Sequence, residues 1–374
     1  MKKNKRFIPI AFPEISGNEK SYLLNCLKSS WISSKGEYID RFEEDFARFI
    51  GSKYAVSSSN GTTALHLALV AAGIGPGDEV ILPDLTFVAT ANTVKYTGAE
   101  PVLVDVNKKS WQINTRLIEG KINKKTKVLL PVHLYGIPSD MKKIMEIAKK
   151  YKLTVIEDAA EAHGAKVMMG DVSFKMAGSI GLMGCFSFYA NKIITTGEGG
   201  MVVTDDRKKA DLMKMLRDHG QDPGRHYYHP LIGFNYRMTN LQAALGTAQL
   251  ERIQKLLNFK SRIAALYTNM LSKVAGIYFP EIPAGTEAVC WLYSVIVDKP
   301  YPLSRDVLIK KLKNRGIETR PFFYPMHRLP AYISEESFPA ADYLFHHGIN
   351  LPSGYNLTEG DIKYICAVIK SLSK

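Results

Sequence analysis

Between residues 50 and 205, short apolar runs alternate with stretches of helical spacing, and few folds accommodate that alternation. The runs DEVILP, AEPVLVDV, KVLLPVHLYG, LTVIEDAA and GCFSFYA are each bounded by Gly, Pro or Asp. Between them lie stretches such as TTALHLALVAAG and DMKKIMEIAKKY, whose apolar residues recur at helical intervals. Runs that are apolar nearly throughout suit strands buried on both faces, so an α/β domain with a largely parallel sheet is expected. Functional side chains in such a sheet gather at the carboxyl ends of the strands.

After residue 236 the pattern changes. RMTNLQAALGTAQLERIQKLLNFKSRIAALYTNML reads as one or two long helices with Thr239 at the N-cap position. A strand in CWLYSVIVD, a helix in SRDVLIKKLKNRG, a strand in IETRPFF and a helix in TEGDIKYICAVIKSL follow. The expected organisation is an N-terminal segment, 1–49, packing on a large domain, 50–254, with a smaller α/β domain over 255–374. The segment 1–49 carries an amphipathic helix near NEKSYLLNCLKS and a loop at WISSKGEYI.

Composition narrows the function classes. The 374 residues are 46% hydrophobic and 23% charged, which suits a soluble, enzyme-sized protein. Forty-nine basic against 36 acidic side chains give a net charge of +13, but the lysines are scattered rather than gathered in one run. Nucleic acid is therefore not an expected partner, and anionic small molecules fit the charge equally well. Cys26, Cys185, Cys290 and Cys366 are far apart and lack metal-ligand spacing, so reduced thiols and no metal site are expected. The basic opening MKKNKRFIPIAF is interrupted by Pro9 and Pro13, and no later apolar run reaches spanning length. Neither a signal peptide nor a membrane span is expected, and the cytoplasm is the expected compartment.

Three stretches carry chemistry. In SSSNGTTALHLALVAAG a turn of small residues runs into a helix, leaving free N–H groups at the positive end of its dipole, which suits a phosphate. An ordinary capped helix start would look the same. In LTVIEDAAEAHGA a strand ends in Glu157 and Asp158, and a carboxylate buried there needs a partner. The competing reading is that Asp158 caps a helix over AAEAHGA. In FSFYANKIITTGEGG, Lys192 stands between a buried-looking strand and a glycine cluster. Most lysines are solvated, but glycines allow close backbone approach, and neither a P-loop nor a GxGxxG turn is present.

Together the three meet the needs of pyridoxal phosphate. Its aldehyde takes a lysine amine in a Schiff base, its ring nitrogen takes a carboxylate, and its phosphate takes helix-terminal N–H groups.

NGTTALHLAL, IEDAAEA, FSFYANKIITTGEGGMVVTDD and GFNYRMTNLQAALGTAQLERI closely resemble the sugar-nucleotide aminotransferases of the DegT family, pyridoxal phosphate enzymes of fold type I. The resemblance covers nearly the whole chain. It implies an aspartate aminotransferase-like architecture, a large domain with a mostly parallel mixed sheet plus a smaller C-terminal α/β domain. It also implies that Lys192 forms the Schiff base and shuttles the proton, and that Asp158 pairs with the ring nitrogen. Gly61, Thr62 and Ser187 would hold the phosphate, Phe87 and Ala160 would cover the two ring faces, and Asn235 would reach in from a neighbouring subunit. The implied assembly is a homodimer with sites at its interface, or a tetramer. Glu161 stands where many members carry Gln or His near the phenolic oxygen. Lys192 itself favours amino transfer over the dehydration catalysed by members with histidine in its place.

The stretches NEKSYLLNCLKSSWISSKGEYIDRFEEDFARF and IETRPFFYPMHRLPAY look most like members that aminate C4 of GDP-4-keto-6-deoxymannose, with L-glutamate as donor and pyridoxamine phosphate as the intermediate form. Ser33, Lys35, Tyr189, Arg320, Tyr324 and His327 are the implied substrate contacts. For Arg320, Tyr324 and His327 an ordinary strand-to-loop ion pair fits as well, and Ser33 and Lys35 stand the same way. His66, His133 and His163 are expected to pack or cap locally, and His346 and His347 to lie at the surface. The rival readings are a UDP- or dTDP-linked keto-sugar, a sugar dehydratase, and a non-catalytic cofactor- or nucleotide-binding scaffold.

Overall fold

The computed structural model describes residues 7–170 and 173–373; the basic residues 1–6 of the opening stretch lie outside them. Seven strands form the main sheet: β1 (Tyr54–Ser58), β2 (Glu79–Pro83), β3 (Glu100–Val104), β4 (Thr126–Leu129), β5 (Thr154–Asp158), β6 (Met183–Ser187) and β7 (Gly200–Thr204). Their spatial order is β1-β7-β6-β5-β4-β2-β3. The run β6-β5-β4-β2-β3 is parallel, and β7 and β1 close the edge antiparallel. All five apolar runs singled out in the sequence supply strands of this sheet. Except in the edge strand β3, which is half-buried, their interiors are buried on both faces because helices cover both sides.

Helix α1 (Gly61–Ala71) packs on β6 and β7 through Ala64, Leu67 and Ala68, all fully buried. On the other side lie the helices Glu37–Ile50 and Asn240–Leu250, the second opened by a capping box on Thr239. The loop expected at WISSKGEYI is shorter than that, because Glu37, Tyr38 and Ile39 already belong to the helix. Between these helices and the sheet, Phe42, Phe46, Phe186 and Phe188 form a buried aromatic cluster with ring centroids 5.0–6.0 Å apart. Gly246 lets the two helices meet, since a Cβ there would lie 2.5 Å from the Phe42 ring.

A four-stranded antiparallel sheet of Ile277–Tyr278, Tyr293–Val297, Gly348–Leu351 and Arg320–Pro321 forms a second layer system, backed by the helices Arg305–Asn314 and Glu359–Ser371. Helix α3 (Ile253–Leu271) serves both cores: Ile253 and Leu256 sit in the large-sheet core, whereas Ile263, Tyr267 and Leu271 fill the small one. The division expected at 254/255 falls in its first turn. Among the elements without a clear pattern in the sequence are the strand Gly348–Leu351, the helix Pro339–His347 and the two antiparallel strands Lys166–Met169 and Ser173–Met176.

Among the described residues, no helix is long and apolar enough to cross a membrane, and no group of His, Cys, Asp and Glu could hold a metal ion. The four cysteines are free thiols.

Phe46 touches Phe42, Phe49, Phe186, Phe188 and His163 and is fully buried. Phe46→Ala is expected to destabilise the protein by about 3–5 kcal/mol, read as a lower urea midpoint.

Candidate active site

The first part of the site is the start of α1. Asn60 is extended and caps the helix: its side chain accepts from the Thr63 N–H at 2.9 Å, and the Thr63 hydroxyl accepts from the Asn60 N–H at 3.1 Å. That leaves the N–H groups of Gly61 and Thr62 without an acceptor among the described residues. Ser187, the last residue of β6, stands against this helix start. A Cβ on residue 61 would come within 2.7 Å of the Ser187 Cβ, so only glycine admits the approach. The result is a cradle of two free amides and a hydroxyl at the positive end of a helix.

The second part is the end of β5. Successive side chains on a strand point to opposite faces, so Glu157 and Asp158 face different surroundings. The Glu157 carboxylate accepts from the N–H groups of Gly178, Ile180 and Gly181 at 2.7–2.8 Å and pairs with His133 Nε2 at 3.0 Å. His133 Nδ1 accepts from the Ser139 N–H at 3.1 Å, which puts the ring proton on Nε2 facing the carboxylate. Glu157 is thereby fully engaged in holding loops. Asp158 receives less: the Thr90 hydroxyl donates to Oδ2 at 2.8 Å and the Ala160 N–H to Oδ1 at 3.2 Å. Burial pushes its pKa up, against the downward pull of those donors and of Lys192. The helix-cap alternative fails here, because residues 159–165 form turns and no helix follows Asp158.

The third part is Lys192, on the turn after β6. Its Nζ lies 3.4 Å from Glu161 Oε1 and 3.8 Å from the centroid of the Trp291 ring. Trp291 comes from the far side of the chain, is 3% exposed, and donates its indole N–H to the Asn191 carbonyl at 2.7 Å. Glu161 also accepts from the Tyr135 N–H at 2.8 Å, an amide turned toward it because Tyr135 sits in the left-handed region at φ 56°. Burial raises the Glu161 pKa, and Lys192 opposes that shift. His163 lies beneath, among Phe46, Phe186 and Phe188, with its pKa lowered to about 3 by burial, so it is neutral packing.

Around this centre the remaining residues divide. Phe87 is 53% exposed and its ring lies 5.5 Å from that of Phe323, which in turn stacks on Tyr135 at 5.6 Å. The segment holding Arg320 and Tyr324 is thus held beside Phe87; Arg320, Tyr324 and Tyr189 are all exposed. His327 differs. Its Nδ1 and N–H both bind Asp84, at 2.7 and 2.9 Å, and its Nε2 lies 3.3 Å from Asp342. Ser33 and Lys35 occupy an exposed loop fixed by the Asn240 N–H on the Ser33 carbonyl at 2.6 Å, with no contact to Lys192 among the described residues. Asn235 is exposed and its side chain accepts from Arg237. A cavity of about 510 Å³ lies elsewhere, between α3 and residues 279–294, and includes neither Lys192 nor Asp158.

Sequence reasoning missed Trp291, Thr90, Phe323 and Tyr135. Thr86 and Thr90 carried a signal, two hydroxyls four apart at a helix start. Trp291 carried none, since only the tertiary fold brings it across 99 residues to Lys192.

Residues 13–370 match the DegT/DnrJ/EryC1/StrS aminotransferase family. The chain belongs to that family. It is similar to the GDP-perosamine synthases of Caulobacter vibrioides, 46% identical over 97% of each chain, and of Vibrio cholerae, 44% identical over 97% of this chain and 98% of the relative. Among solved structures it is similar to the pyridoxal phosphate form of the putative sugar aminotransferase Spr1654 from Streptococcus pneumoniae, 28% identical over 98% and 99% of the two chains, with a TM-score of 0.91. As a DegT-family aminotransferase the protein uses pyridoxal phosphate, and its donor set fits that group: an amine, a buried carboxylate with acceptor capacity to spare, and a cradle that a Cβ at residue 61 would fill.

Glu161 places a negative charge beside the Lys192 nitrogen, and such a charge favours the protonated form of its neighbour. In Glu161→Gln the pH at which the bound cofactor's visible absorbance changes is expected to fall, by about one unit. An unmoved titration in the loaded variant would remove Glu161 from the site.

Proposed function

We propose that the protein transfers the amino group of L-glutamate to C4 of GDP-4-keto-6-deoxymannose, giving GDP-perosamine. The observation that supports this most is the identity of 44–46% to GDP-perosamine synthases along nearly the full length of both chains. Pyridoxal phosphate, when bound, supplies the carbonyl that accepts the amino group and a ring that takes up the electron pair of the deprotonated carbon.

In this reading Lys192 Nζ takes the proton from the α-carbon of glutamate and, in the second half of the reaction, delivers a proton to C4 of the sugar. Asp158 stays ionised and holds the cationic ring nitrogen, so it acts most strongly where charge builds up. The free amides of Gly61 and Thr62 and the Ser187 hydroxyl hold the phosphate, and Phe87 and Ala160 exclude water from the two faces of the ring. Glu161 and the Trp291 ring keep the Lys192 amine at the site whenever it is not bonded to the cofactor.

The same reading requires a second copy of the chain. Phe87 and Tyr189 are about half exposed, and the loop that leads to Asn235 presents Tyr227 at 80% and Ile232 at 94% exposure. We place Asn235 of a second copy on the phosphate, which makes a homodimer the smallest active assembly. Arg320, Tyr324, Tyr189, Ser33 and Lys35 are the proposed contacts to the nucleotide sugar. His327, taken on both ring nitrogens by carboxylates, contributes by fixing the segment that carries Tyr324.

Turnover with glutamate and a panel of GDP-, UDP- and dTDP-linked keto-sugars, read by mass spectrometry, tests the assignment. Amination of the GDP-linked 4-keto sugar is expected to dominate; a preferred UDP- or dTDP-sugar, or a deoxygenated product, overturns it. Lys192→Ala is expected to lose at least about 10²–10⁴-fold in rate, and wild-type turnover in that variant would rule out the role of the lysine.

A further inference from the structure

A buried carboxylate tends to take up a proton, because burial penalises its charge. Burial is the largest influence on Asp158, and the groups around it divide. Lys192 favours its charge; Glu161, packed nearby, opposes it, while His133, neutral with its proton on Nε2, and three amides absorb the charge of Glu157. Cys185, on the neighbouring strand, is kept a neutral thiol by burial and by the two carboxylates. A protonated Asp158 could not hold a cationic ring nitrogen, so something must keep it ionised in a dry place.

Two threonines stand in line with it. Thr90 Oγ1 lies 2.8 Å from Asp158 Oδ2, and Thr86 Oγ1 lies 3.0 Å from Thr90 Oγ1. Both are 1% exposed. An ionised carboxylate only accepts, and a hydroxyl has one proton to donate. The Thr90 proton therefore points at Asp158, and the Thr86 proton points at the Thr90 oxygen. The direction of the chain is fixed, and each bond polarises the next. Thr90 is itself held at the start of helix α2 (Ala89–Tyr96): its N–H donates to the Phe87 carbonyl at 3.1 Å, and its carbonyl accepts from the Thr93 hydroxyl at 3.0 Å. The turn that presents Phe87 thus also aims the donor at Asp158.

We infer that Thr90, backed by Thr86, is a positioning residue for the reaction: its donated hydrogen bond keeps the Asp158 carboxylate ionised and fixed in orientation, ready for a cationic ring nitrogen. This rests on the reading of Asp158 given under the proposed function. The relay does not touch the reacting carbon; it acts through the carboxylate.

The test uses Thr90→Val, which keeps the branched shape and removes the hydroxyl, Thr90→Ser, which keeps the hydroxyl, and Thr86→Val. Apo protein is titrated with pyridoxal phosphate across a pH series, and the ring nitrogen of ¹⁵N-labelled bound cofactor is observed by NMR. Thr90→Val is expected to bind the cofactor about ten- to a hundredfold more weakly, to shift its acid limit of binding to higher pH, and to move the ¹⁵N resonance toward that of an unprotonated ring. Thr90→Ser restores all three, and Thr86→Val shows the same changes at smaller size. A packing role alone would lower stability and leave the nitrogen resonance in place. Wild-type affinity and resonance in Thr90→Val overturn the relay. If that variant does not fold, an unchanged resonance in Thr86→Val together with a lost one in Thr90→Ser does so instead. Asp158→Asn separates the two levels: if it too leaves the ring nitrogen unchanged, the reading of Asp158 falls along with the relay.

Discussion

The structure depends on how two neighbouring carboxylates at the end of one buried strand are satisfied. Glu157 and Asp158 leave β5 on opposite faces, and each must find donors or take up a proton. Glu157 finds three amides and a histidine, and in doing so fixes the turn at 178–181 and the loop at 133–139. The second of these loops carries Tyr135, whose N–H reaches Glu161 beside Lys192. Asp158 finds one hydroxyl and one amide and keeps room for a cation. The difference between them is a difference of donors, since both are buried side chains on the same strand.

The second constraint runs between the two sheets. Trp291 stands two residues before the small-sheet strand Tyr293–Val297, yet its ring lies against Lys192, on the turn that follows β6 of the large sheet. Its backbone carbonyl is held by Lys260 of α3, whose ammonium also donates to the Ser353 carbonyl. Burial lowers the Lys260 pKa to about 8, the expected cost of keeping a cation among carbonyls without a carboxylate. One helix therefore belongs to both cores and fixes the position of the aromatic face against which the lysine rests.

Most of the large sheet could be read from the sequence because parallel strands buried on both faces leave continuous apolar runs, and Gly, Pro and Asp mark their ends. The strand-end logic then led to Asp158, and the glycine cluster to Lys192. Other features could not be read. Tyr135 matters through a backbone amide turned by a left-handed residue, which side-chain pattern does not encode. Trp291 matters through a contact across 99 residues. The N-cap alternative at Asp158 fits the pattern of AAEAHGA, but residues 159–165 form turns, the first of them closed by the Ala160 N–H on Asp158 Oδ1.

The latch around His327 has a consequence for how such a chain can vary. Asp84, just past β2, binds residues 326 and 327, and Asp105, just past β3, accepts from the N–H groups of Ala340 and Ala341. Both anchors follow directly on strands of the main sheet, and the Arg320–Pro321 strand is paired with Gly348–Leu351. Residues 322–325 thus form a short span between fixed piers. Side chains on such a span can be exchanged without altering its reach, so under the proposed function the sugar contact at Tyr324 can change while the frame around Lys192 stays where it is.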